Sequence, residues 1–281
     1  MNEQETSIGV STTEESTSTP SLAEAMAKFE ASGQNAADSE AESPTEAVAT
    51  TTEAEPLPEE DNKSDMQSDP LMIIVMFGAS LFMFKMWLDD FFSARKGNPH
   101  PKAFPGAVAC PPMAVIIAVI GALFLVLVET GGEYALGVSA EQSDITWLFL
   151  LSMIAAAFIE ELIFRGFLVI DKKGTKMLIG SIVLFSFLFA ILHPFMWDLE
   201  LPSDASGGAG RFWRGEWTFD FGVKAWFSTI IVFVNSLWFY AVRFYSYNPE
   251  RSLIPCMAAH FASNIGVFVI KLAQGHVVGI W

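Results

Sequence analysis

The chain has 281 residues, 52% of them hydrophobic and 13% aromatic, with more apolar sequence in long runs than a soluble domain of this size requires. The net charge of −16 is concentrated in residues 1–70, which hold 17 acidic residues against two lysines, and the remainder is close to neutral. A near-neutral body lacks the electrostatic footprint of a nucleic-acid binder, and two cysteines, Cys110 and Cys256, exclude a disulfide framework; both read as small buried hydrophobes.

The first segment, 1–70, is rich in Glu, Ser, Thr and Ala and almost free of aromatics. It has too little apolar surface to offset the entropy of ordering, so a disordered acidic tail is expected. Within it, 21–32 places Leu22, Met26 and Phe29 near helical spacing and reads as a transient helix. The start, MNEQETSIGV, has no basic region followed by an apolar stretch, so no cleavable signal peptide is expected.

From 71 onward the composition switches. Apolar runs at 71–89, 111–129, 146–170, 177–197, 224–244 and 254–273 follow one another, each near the ~20 residues a helix needs to cross ~30 Å of hydrocarbon. The expected fold is all-α: a polytopic membrane bundle of about six transmembrane helices spanning 71–281. Lys85 falls inside the first run, near an end from which it can snorkel. Trp87, Trp147, Trp197, Trp226 and Trp281 lie near run ends, where indole rings favour the water–lipid boundary.

Lysine and arginine counts set the expected orientation. The connections holding Arg95, Lys96 and Lys102, then Lys172, Lys173 and Lys176, then Arg243 and Arg251, carry eight cations, against Arg211 and Arg214 on the other side. The eight are expected in the cytoplasm, which sends the acidic tail to the opposite side. The 198–223 connection is long, with several glycines plus Trp213 and Trp217, and reads as a lid, a re-entrant piece or a surface loop.

Three runs carry chemistry. The third, TWLFLLSMIAAAFIEELIFRGFLVI, holds Glu160, Glu161 and Arg165 in one apolar helix. Each charge near a bilayer centre costs about 2.5–3.5 kcal/mol on insertion scales, so three demand compensation. Glu161 and Arg165, four apart, share a face and can pair. Glu160 points about 100° away and has no partner in its own helix. The fourth run places Phe189 and His193 one turn apart, and the sixth does the same with His260 and Asn264. Phe189 reads as packing.

A carboxylate of this kind can take a proton from water. His193 can share or orient that water, and His260 with Asn264 can offer donors to an oxyanion. The set suits a hydrolase that works without a covalent intermediate. Ser186 and Ser263 lack a nucleophile-elbow context, and Cys256 is one turn before His260. A zinc ion held by Glu160, His193 and His260 is an alternative, although H-E-x-x-H is absent.

EELIFR at 160–165, FAILH at 189–193 and HFASN at 260–264, with SLIPCMAAH leading into the last, occur in order, each within an apolar run. Together they resemble the EExxxR, FxxxH and HxxxN motifs of the CPBP (Abi) family of intramembrane proteases, which includes type 2 CAAX prenyl endopeptidases and lysostaphin-resistance-like proteins. The resemblance covers 146–273 and departs modestly from the family pattern in a generous His193-to-His260 spacing. It implies a glutamic-type intramembrane endopeptidase with no cofactor. Glu160 and His193 would activate water, His260 and Asn264 would form the oxyanion site, and Glu161 and Arg165 would support them. The family has also been described as metalloproteases. The partners implied are the bilayer and a peptide or lipidated-protein substrate, with no nucleic acid, in a multi-pass protein of the plasma or inner membrane. Two other readings stay open: a non-catalytic scaffold of the same fold, and a proton-coupled transporter, for which the chain shows no internal repeat.

Overall fold

The computed structural model describes residues 70–200 and 215–280. The expected disordered tail, the helical stretch at 21–32, the middle of the long connection with Trp213, and Trp281 lie outside the described residues.

Among the described residues six α-helices follow in the expected order: α1 (Pro70–Arg95), α2 (Pro112–Leu136), α3 (Phe149–Glu160), α4 (Thr175–Leu192), α5 (Val223–Phe244) and α6 (Ile254–Gln274). Pro112 and Pro255 stand in the first turns of α2 and α6, where a missing N–H leaves no gap. Gly137 and Gly275 end the same helices in the left-handed region that glycine enters without strain.

Four of these helices, α2, α4, α5 and α6, are long and apolar enough to cross a membrane. Six such spans were expected. In the third run the α-helix gives way after 12 residues to a π-helix over Glu161–Leu168. Its ladder shifts from i→i+4 to i→i+5 within the EELIFR motif, a change of pitch found often at functional sites.

Packing is tightest where side chains are smallest. Ala114, Ala118 and Ala122 are fully buried along one face of α2, which packs on α5 and α6; small residues four apart let membrane helices approach closely. Trp238 of α5 crosses over Gly121, donating Nε1–H to the Ala118 carbonyl at 3.0 Å. On the far side of α2, Ile116, Ile120, Phe124 and Leu127 are exposed, as suits a surface solvated by acyl chains.

The connections at 96–111, 169–174 and 245–253 meet at one end of the bundle. Phe104 packs edge-on against Phe167, Leu253 N–H donates to Gly106 O at 3.1 Å, and Arg251 pairs with Asp171 at 3.2 Å. The other end is closed by a bridge between Ile145 and Val277 and by the ion pair Lys224–Glu133, which Gln142 also joins.

Three expectations change. Trp87 is buried rather than interfacial, because the 96–111 connection folds back beside it and Pro105 O accepts its Nε1–H at 3.3 Å. Arg243, counted with a connection, lies inside α5 and is buried. The long connection begins and ends as a two-stranded antiparallel ribbon, β1 (Trp197–Glu200) with β2 (Glu216–Phe219), in the register Trp197↔Phe219 to Glu200↔Glu216; Trp197 and Trp217 touch across it, with ring centroids 5.4 Å apart.

Candidate active site

The π-helix brings Glu161 and Arg165 together at full burial. Glu161 Oε1 lies 3.2 Å from Arg165 Nη1, and neither side chain is exposed at all. The same oxygen is 2.9 Å from Nδ1 of His260 on α6. A carboxylate only accepts, so Nδ1 carries a proton directed at Glu161. This leaves Nε2 facing the other way, 3.9 Å from Glu160 Oε2.

Glu160 differs from its neighbour. Its Oε2 is buried without a hydrogen-bond partner, yet the side chain as a whole retains 29% of its exposure. The carboxylate that sequence reading leaves unpaired in its helix stays without a hydrogen bond at that oxygen and faces one imidazole across a gap too long for a direct bond. Such a gap suits an intervening water or a substrate oxygen.

Arg165 is held from four directions. Its Nη2 donates to Ser236 Oγ at 2.6 Å and Ser236 O at 3.2 Å, both on α5. Its guanidinium lies 4.4 Å from the Phe189 ring centroid and 4.8 Å from that of Tyr240, favourable placements for a cation on an aromatic face. Tyr240 in turn donates its hydroxyl to Phe164 O at 2.8 Å, inside the π segment. Phe239 completes the wall, stacked on His260 with centroids 4.9 Å apart.

His193 stands one residue beyond α4, in extended backbone at its C-cap, not within the helix. Its Nδ1 is 2.7 Å from Phe189 O. A carbonyl cannot donate, so Nδ1–H caps an otherwise orphaned helix-end carbonyl and Nε2 keeps a free lone pair. Phe189 links this histidine to the rest: its ring touches His193 at 4.7 Å, His260 at 6.1 Å and Arg165. Asn264 donates Nδ2–H to Met153 O of α3 at 2.8 Å, which fixes the amide and leaves its second N–H for another acceptor.

The structure thus gathers Glu160, Glu161, Arg165 and His260 in direct range, joins His193 through Phe189, and anchors Asn264 one turn beyond His260. Sequence reading placed the site on three helices and missed α5. The signal was available there: Asn235, Ser236, Tyr240 and Arg243 recur at helical spacing within an apolar run.

Residues 142–266 match the family described as type II CAAX prenyl endopeptidase Rce1-like. The chain carries an Rce1-like domain. The match encloses both glutamates, Arg165, both histidines, Asn264 and all of α5, and the class of activity is that of an endopeptidase in a membrane protein. Comparison with curated proteins and with solved structures finds no match.

Among the described residues no three His, Cys, Asp or Glu side chains gather as a metal site. Glu161 and His260 Nδ1 are engaged with each other, which leaves His260 Nε2, 3.9 Å from Glu160 Oε2, and His193 Nε2 as the imidazole nitrogens without a protein hydrogen bond.

Proposed function

We propose that this protein hydrolyses a peptide bond of a membrane-delivered, CAAX-like lipidated substrate, using Glu160 to activate water. The observation that carries the reading is the buried Glu160 Oε2, which has no hydrogen bond and faces His260 Nε2 at 3.9 Å. Glu160 takes a proton from a water set between it and His193 Nε2, and the hydroxyl adds to the scissile carbonyl carbon. Charge develops on the carbonyl oxygen, where His260, protonated at Nε2 and held by Glu161, donates together with the second N–H of Asn264. Glu160 then returns its proton to the leaving amine as the C–N bond breaks. Proton and electron counts close without a metal.

Glu161 and Arg165 act one step back. Their pair holds His260 with Nδ1–H inward and supplies a buried counter-charge for the imidazolium. We place the protein as multi-pass in the plasma or inner membrane, with the 96–111, 169–174 and 245–253 connections on the cytoplasmic side.

The test is cleavage of a prenylated C-terminal peptide, and of its unprenylated twin, by the purified full chain with and without a chelator. Turnover that survives chelation and falls at least ~100-fold in Glu160→Gln supports the mechanism. Wild-type turnover abolished by chelator and restored by zinc would overturn the metal-free route, and unchanged turnover in Glu160→Gln would remove Glu160 from it.

A further inference from the structure

The end of the bundle where the 96–111, 169–174 and 245–253 connections meet is rimmed by Arg95, Lys96, Lys102, Lys172, Lys173 and Lys176, all exposed. Among the described residues none of these six side chains makes an ion pair or a hydrogen bond. The acids nearby do not neutralise them: Asp89 pairs with Lys85, Asp90 accepts from Phe104 N–H at 2.8 Å, and Asp171 pairs with Arg251. Glu250 is the remaining acid there. At the other end, among the described residues, Lys224 is taken by Glu133 and Lys271 by Ser143 O.

The position of the six narrows their partner. Arg95 ends α1 and Lys176 lies in the first turn of α4, a membrane-crossing helix. Within a few residues of the cations along the chain, Phe92, Phe167, Leu168, Met177 and Ile179 are exposed. Unpaired cations standing over an apolar collar occupy the depth at which phosphate headgroups meet acyl chains. The 96–111 connection also packs on the end of the π-helix that leads into the second cationic connection: Phe104 packs on Phe167, and a Cβ on Gly166 would lie 3.4 Å from Pro105.

We infer that this rim binds the headgroups of anionic phospholipids. The inference rests on the membrane-spanning reading and not on catalysis. It has a structural consequence, because the same connections brace the start of α6: Ser252 Oγ donates to Val108 O at 2.6 Å, Leu253 N–H donates to Gly106 O, and His260 follows in the second turn of the helix. Headgroups bound here grip the end of the bundle at which α6 starts.

The test uses the full chain purified in a nonionic detergent, with phosphatidylglycerol titrated in and phosphatidylcholine as the neutral control. Native mass spectrometry reads bound lipid and a thermal-shift assay reads stability. Wild type should retain phosphatidylglycerol over phosphatidylcholine, and added salt should weaken the preference. K96Q/K102Q/K172Q/K173Q/K176Q should lose it by roughly tenfold or more, and K172Q/K173Q, a milder change on one exposed turn, should lose part of it. Glu160→Gln should bind lipid as wild type does, which separates this result from the fate of the protease mechanism. Equal retention of the two lipids by wild type, or unchanged preference in both lysine variants, would overturn the inference. Stabilisation by inorganic phosphate alone to the same extent would overturn it in favour of a free-anion site.

Discussion

His260 Nδ1 and Arg165 Nη1 converge on a single oxygen, Glu161 Oε1, at 2.9 and 3.2 Å. One hydrogen bond, from His260, and one ion pair, with Arg165, on a fully buried carboxylate oxygen give the adjacent glutamates opposite duties. Glu161→Gln leaves a buried guanidinium without its counter-charge and should cost about 3–5 kcal/mol of stability. Glu160→Gln removes a carboxylate that has no hydrogen bond at its buried oxygen, so it should shift stability by less than about 1 kcal/mol while abolishing cleavage. Unfolding of both variants in detergent decides this, and equal destabilisation would mean that Glu160 is as structural as its neighbour.

α5 supports Arg165 from the side that the motifs do not include. Tyr240→Phe deletes the hydroxyl that Phe164 O accepts within the π segment, yet keeps the ring under the guanidinium. A loss of about 1 kcal/mol is expected. Ser236→Ala removes the 2.6 Å acceptor of Arg165 and leaves only the backbone carbonyl, for which about 1–3 kcal/mol is expected. If thermal unfolding shows neither change, α5 is not what fixes Arg165.

Why the sequence discloses some of this and not the rest follows from the range of each interaction. Six helices are legible because apolar runs of near-membrane length are a local property. The Glu161–Arg165 pair is legible because residues four apart meet within one helix whatever surrounds it. The π-helix is not, since the shift to i→i+5 has no compositional mark and draws support from Tyr240, 76 positions from its partner Phe164. Trp87 fails for a related reason: its run-end position suggests the boundary, but whether a connection folds back to cover the ring is decided by Pro105 and its neighbours. His193 is read on a helix face, whereas Pro194 beside it cannot continue a helix, and α4 stops at Leu192. That signal was present.

Asn264 distinguishes a tie between helices from an oxyanion donor. One N–H is committed to Met153 O at 2.8 Å, so Asn264→Ala should cost about 1–2 kcal/mol through that bond alone. If the second N–H meets the developing oxyanion, turnover per folded molecule should also fall by about 10²–10³-fold, mostly in kcat. Stability and single-turnover cleavage measured on one preparation separate the two. A destabilised variant with unchanged turnover would leave the amide a purely structural role.

The approach of α5 to α2 is testable through the glycines of α2. A Cβ on Gly121 would lie 2.1 Å from the Trp238 ring, and that ring is tied down by its bond to Ala118 O. The indole cannot swing away without giving up the hydrogen bond and the contact between α2 and α5. Gly121→Ala should therefore destabilise by about 1–3 kcal/mol. Gly131, on the same helix, would meet nothing within 4 Å, so Gly131→Ala should be neutral or stabilising by up to about 1 kcal/mol, since it relieves only the backbone entropy of glycine. Unfolding midpoints of the pair give the answer directly. A Gly121→Ala variant as stable as Gly131→Ala would show that α2 and α5 do not pack through the indole.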